Sequence, residues 1–179
     1  MKKGFTLVEL LAIFSIMASI MLLSIPSITS MLKKAEESKI KTFEENVFLA
    51  AEAYISENRD NYQELREQNK LTYVEIDKLL NTYLNSNLIT PNILGSKQIK
   101  DVKNNLLILV KANENYVYEY KMKYLSDKEM TEVNNALVKM KTIENNKTTE
   151  NINNAQSAIN SISEEEIKEA FQNRLNYIK

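Results

Sequence analysis

Met1-Lys2-Lys3-Gly4-Phe5-Thr6-Leu7-Val8-Glu9-Leu10-Leu11 opens a stretch that stays apolar to Met31-Leu32. No charge occurs between Leu10 and Leu32, and Glu9 is the only one between Lys3 and that run. Wound as an α-helix, the uncharged run spans about 34 Å, enough for a hydrocarbon core of roughly 30 Å. A carboxylate in mid-membrane costs about 2.5–3.5 kcal/mol on insertion scales, so Glu9 calls for an explanation.

Three ordinary readings compete for this stretch. A secretory signal peptide shares the basic start, but its apolar core is about 7–15 residues long and ends in a small-x-small site. This run is longer, and Ser24-Ile25-Pro26-Ser27 is a poor site of that kind. A plain membrane anchor explains the length and leaves Gly4 to Glu9 as an accident. Thr6-x-x-Glu9 also fits a capping box that opens the helix, which accounts for Glu9 locally.

A fourth reading takes in all of these residues. Lys2-Lys3-Gly4-Phe5-Thr6-Leu7-Val8-Glu9-Leu10 closely resembles the start of type IV prepilins and of the related pseudopilins of secretion and competence systems. The resemblance covers about thirty residues, with leader, cut site, acid and proline in matching spacing. It implies that a dedicated prepilin peptidase cuts after Gly4 and methylates the new N-terminal residue, Phe5. The family's assembly glutamate falls on Glu9, and its characteristic proline on Pro26. The implied partners are that peptidase, other pilin or pseudopilin subunits, an assembly platform protein with its ATPase machinery, and the membrane. Nucleic acid stays open as a partner.

Elementary physics fits these roles. Gly4 offers a protease an unhindered backbone. Glu9 sits in the first helical turn, where the macrodipole favours an anion by a few tenths of a kcal/mol. That is too little to offset membrane burial, so a positive partner is needed; the Phe5 ammonium of the same or a neighbouring chain provides one. Pro26 removes a backbone donor and should kink or locally loosen the helix.

Composition narrows the remainder. The 179 residues allow the N-terminal helix and one modest domain. The formal net charge of −1 falls to −3 if Lys2 and Lys3 leave with the leader, which argues against a generally basic surface for nucleic acid. With no cysteine and no histidine, thiolate and imidazole metal sites and Ser-His-Asp or Cys-His catalysis are excluded. Gly4 and Gly95 are the only glycines, so there is no phosphate-cradling loop. No catalytic residue, cofactor or metal site is expected, and the chain is not expected to be an enzyme.

Beyond Leu32 the helix should continue to about Glu57. Ile40, Phe43, Val47, Ala50, Ala51 and Tyr54 form an apolar stripe at three- and four-residue spacing, and Arg59-Asp60-Asn61 ends it. Thr72-Tyr73-Val74-Glu75 reads as a second capping box, opening a helix with Ile76, Leu79, Leu80, Tyr83 and Leu84 on one face. Leu106 to Val110 and the alternating Tyr116 to Met122 predict an antiparallel hairpin that covers the long helix. Tyr116, Tyr118, Tyr120 and Met122 share a face expected to be core. A third strand is expected near Lys97 to Val102.

The last fifty residues read as helices. Ser126-Asp127-Lys128-Glu129 caps the first, carrying Met130, Val133, Leu137 and Met140, and Asn145-Asn146-Lys147 breaks it. Ile152, Ala155, Ile159 and Ile162 resume the pattern weakly, in a segment expected to be mobile. Ser163-Glu164-Glu165-Glu166 caps a last helix with Ile167, Phe171, Leu175 and Ile178. Pilin heads usually finish in strands, so this tail departs from the family pattern.

The expected class is therefore α+β: a long N-terminal transmembrane and assembly helix packed by a small antiparallel β-hairpin or sheet, with a helical C-terminal extension. The divisions are a leader (1–4), a transmembrane and filament-core helix (5–32), its amphipathic continuation (33–60), a small head (61–125) and the extension (126–179). The resemblance implies a structural subunit of a type IV pilus-like filament, cytoplasmic at its N-terminus with the head outside, later part of a cell-surface or envelope-spanning filament. The alternatives are a minor or tip pilin binding DNA, a surface or a protein, and an unprocessed single-pass membrane protein with an interaction domain.

Overall fold

The computed structural model describes residues 6–85 and 105–178. The chain falls into two compact units, Met1–Lys41 and Thr42–Lys179. Helix α1, Leu7–Glu57, contributes residues to both.

In the first unit α1 carries the apolar stretch. Leu7, Val8, Leu11, Phe14, Ile16, Leu22 and Ile28 all lie exposed on it. Two hydroxyls within this stretch bond back to the helix: Ser19 Oγ donates to Ser15 O (2.9 Å) and Thr29 Oγ1 to Ile25 O (3.1 Å). Such bonding to the carbonyl one turn back satisfies a Ser or Thr hydroxyl within its own helix.

The second unit has three layers. Its middle is a three-stranded antiparallel sheet in the order β1 (Leu71–Glu75), β2 (Leu106–Ala112), β3 (Tyr118–Tyr124). Val110 lies opposite both Thr72 and Tyr120, and Leu109 opposite both Tyr73 and Lys121. Because β2 is central and covered on both faces, it is apolar throughout from Leu106 to Val110.

One face of the sheet meets the end of α1, where Phe43, Val47, Ala50, Ala51 and Ile55 are buried. Phe48 stacks on Tyr120 with ring centroids 6.0 Å apart, and the Tyr124 hydroxyl donates to Glu44. Of the face expected to be core, Tyr118, Tyr120 and Met122 are half-buried, with Tyr120 packed on α1, and none reaches full burial. Tyr116 does not belong to it; β3 begins at Tyr118, and Tyr116 lies 57% exposed in the turn before it.

Tyr73, Leu107 and Leu109 point the other way, into a cluster with three helices. These are α2 (Asp127–Asn145), α3 (Thr149–Asn160) and α4 (Glu165–Ile178). Residues 61–125 and 126–179 thus contribute to a single core. Phe171 and Tyr73 stack at its centre, 4.0 Å between centroids with 12° between planes. Phe171→Ala should cost about 3–5 kcal/mol in a urea titration, against near zero for the exposed Val138→Ala.

Three expectations need correction. Leu71–Glu75 is a strand, and Ile76–Lys78 a short 3-10 turn, where a capped helix was expected. β-Branched and aromatic residues favour the pleated surface there, and the Thr72 hydroxyl that would cap a helix donates instead to Glu64. Ile76, Leu79, Leu80 and Leu84 remain buried all the same. The segment expected to be mobile is α3, whose Ala155, Ala158 and Ile159 lie in the core; its Asn and Ser residues take the outer positions while alanines let the helices approach. Ser163 does not cap α4: its N and Oγ donate to Glu132 (2.8 and 2.7 Å), and Glu164 takes the Ile167 N–H at 2.7 Å. The third strand expected near Lys97 to Val102 lies outside the described residues.

The Ser126 and Glu129 capping box is present. Lys121 and Lys123 of β3 bind Glu166, and Lys123 also binds Glu164, tying sheet to α4. Hydrogen bonds from the two lysines hold the Glu166 carboxyl down to about 2.

Candidate processing and assembly site

Gly4 and Phe5 lie outside the described residues, which begin at Thr6. Glu9 sits in the first turn of α1 and is exposed. Its Oε2 accepts from Thr6 N and Thr6 Oγ1, both at 2.8 Å, while Glu9 N donates to Thr6 Oγ1 at 3.3 Å. This is a reciprocal capping box. The same arrangement opens α2, where Ser126 N donates to Glu129 Oε2 at 2.8 Å. Capping alone therefore gives Glu9 a local role that needs no partner.

The helix runs unbroken through Pro26, so the proline does not end it. Pro26 has no N–H for the carbonyl of Leu22, and a neighbouring hydroxyl bond, from Thr29 to Ile25, lies on the same turns. Glu9 and Pro26 are separated by roughly 25 Å of helix, so they do not form one site. Among the described residues α1 is the one helix long and apolar enough, by length and composition, to cross a membrane.

The second unit holds a charged cluster that the sequence reading did not pick out. Arg174 on α4 and Glu64 are buried, 5% and 1% exposed. Arg174 Nη1 donates to Asn61 O at 2.6 Å and to Glu64 Oε1 at 3.2 Å, and Nη2 reaches Glu144 Oε1 at 3.5 Å. The guanidinium lies 4.4 Å from the Tyr62 ring centroid. Beside it is a polar cavity of about 370 Å³, also lined by Lys78 and Lys147. The bonds of Arg174 to Asn61, Glu64 and Glu144 make the cluster a clasp joining α4 to α2 and to the residues that follow α1. Its signal in the sequence is an arginine at a core position of the α4 repeat Ile167, Phe171, Arg174, Ile178. Its partner Glu64 lies far away along the chain, where no local pattern points.

No protein family, curated protein or solved structure matches the chain.

Proposed function

We propose that the chain is a structural subunit of a type IV pilus-like filament, processed at Gly4-Phe5 and assembled through its N-terminal helix. The observation that carries this reading is the spacing of Gly4, Phe5, Glu9 and Pro26 at the head of an exposed apolar helix. A helix with apolar side chains all round is insoluble alone and needs lipid or like helices about it. A filament core built of such helices provides the second after the membrane has provided the first. The assembly is then heterologous and open-ended, with the N-terminus cytoplasmic before extraction and the head outside.

Co-expression with a prepilin peptidase tests this directly. The mass should fall by Met1 to Gly4 and rise by one methyl group. Gly4→Val should block the shift, because a branched side chain crowds the scissile backbone. Unchanged mass beside an active peptidase would overturn the reading.

The Thr6 and Glu9 capping box favours one other reading, an unprocessed membrane-tethered protein whose second unit binds a partner. It predicts an intact Met1. A minor or tip subunit is separated from a main one by its copy number along purified filaments.

A further inference from the structure

Where α1 leaves its apolar stretch, its charges come in blocks of alternating sign: Lys33-Lys34, then Glu36-Glu37, then Lys39 and Lys41. All six are exposed, and all belong to the Met1–Lys41 unit. In the sequence Glu44-Glu45 continues the alternation. Lys33, Glu37 and Lys41 follow one another four residues apart, about one turn or about 6 Å of rise. Residues at that spacing line up as a ridge on the helix surface, here positive, negative, positive.

The helix does not use most of these charges itself. Among the described residues, no ion pair is made by Lys33, Lys34, Glu36 or Glu37. Lysine four residues before glutamate is also the weaker order for a pair within one helix. The alternation has a definite consequence for a second copy lying parallel. In register, each block meets its own like within a Debye length of about 8 Å, so the two copies repel. Displaced by four residues, Lys33 comes level with Glu37 of the second copy, and Glu37 with Lys41 of the second copy. Lys34 and Glu36 then come level with the uncharged Ser38 and Ile40, and nowhere in the segment do like charges come level.

We propose that Lys33 to Lys41 sets the axial step between copies of this chain: a second copy packs parallel to the first, displaced by about one helical turn, with lysines against glutamates. The inference rests on the filament reading, which supplies the parallel neighbour through the apolar half of the same helix. The same step repeats from each copy to the next, so the contact is heterologous and does not close. Exposed ion pairs contribute little affinity each, so the segment selects one alignment and rejects the in-register one by repulsion.

The chain has no cysteine, so single cysteines report the alignment without background. Full-length Lys33→Cys and Glu37→Cys chains are expressed separately and together in the cells that make the filament, and sheared filaments and membranes are both oxidised. A disulfide needs Cα atoms within about 7 Å, a reach that an added axial displacement of about 6 Å between packed helices exceeds. The mixed pair should therefore cross-link at least about tenfold faster than either variant alone. Glu36→Lys in both chains puts like charges side by side and should slow the mixed bond by about threefold or more, while Ser38→Ala should not. The proposal is overturned if either single variant cross-links as fast as the mixed pair, if no bond forms in either fraction, or if Glu36→Lys leaves the mixed rate unchanged. The N-terminal mass of the same samples keeps the two readings apart. Processed filaments without the mixed bond overturn this proposal alone, and a chain that keeps Met1 yet forms the mixed bond overturns the filament reading alone.

Discussion

Arg174→Met is expected to destabilise the Thr42–Lys179 unit by about 3–5 kcal/mol, because it strands the Glu64 carboxylate in the interior. The substitution keeps most of the side chain's length and apolar stem, so packing loss is a minor part. What remains is a buried carboxylate with the Thr72 hydroxyl as its hydrogen-bond partner, and a Tyr62 ring without its cation. Adding Glu64→Leu should recover more than half of the loss, since exchanging both members of a buried pair for apolar residues is often close to neutral. Urea titrations of the parent, both single variants and the double variant close the cycle. Additive losses would mean that the pair is not coupled, and that Arg174 acts through the aromatic rings or the Asn61 carbonyl instead.

Glu9→Leu is expected to leave membrane insertion and cleavage intact and to reduce incorporation into filaments by about a hundredfold or more, the scale of a broken buried charge pair at about 3–5 kcal/mol. An apolar residue here lowers the insertion cost, by at most the about 2.5–3.5 kcal/mol of a charge at the helix centre, so a chain built only for anchoring gains from the change. The capping box complicates this logic usefully. Thr6→Ala removes the hydroxyl from the box and keeps the carboxylate, so filament incorporation should survive it if Glu9 pairs with the Phe5 ammonium of a neighbouring subunit. Glu9→Gln keeps the shape and loses the charge. Membrane fractionation and sheared-filament analysis of the set read both effects. Normal incorporation of Glu9→Leu would reduce Glu9 to a capping residue.

What the sequence made legible follows from how local each signal is. The span of α1, its end near Glu57 and the burial of Phe43, Val47, Ala50 and Ala51 come from periodicity along one helix. The hairpin could be read because both of its strands and their turn lie within twenty residues. β1 could not, because Thr72-x-x-Glu75 imitates a capping box and its partner β2 comes much later in the chain. The same limit hid the clasp between Arg174 and Glu64, and the choice of Glu132 by Ser163. Alternation carried Tyr116 into the core row with its neighbours, since nothing in a period of two announces where a strand begins. At the N-terminus the roles of Gly4, Phe5, Glu9 and Pro26 rest on resemblance and spacing, while the geometry adds the Thr6 and Glu9 box.

The most direct test of the filament reading is the N-terminal mass of the chain recovered from filaments sheared off the cells that make it. The account predicts a chain that begins at N-methylated Phe5, with the unprocessed form confined to the membrane. A chain that keeps Met1 in every fraction, or that never leaves the membrane with sheared filaments, would contradict it.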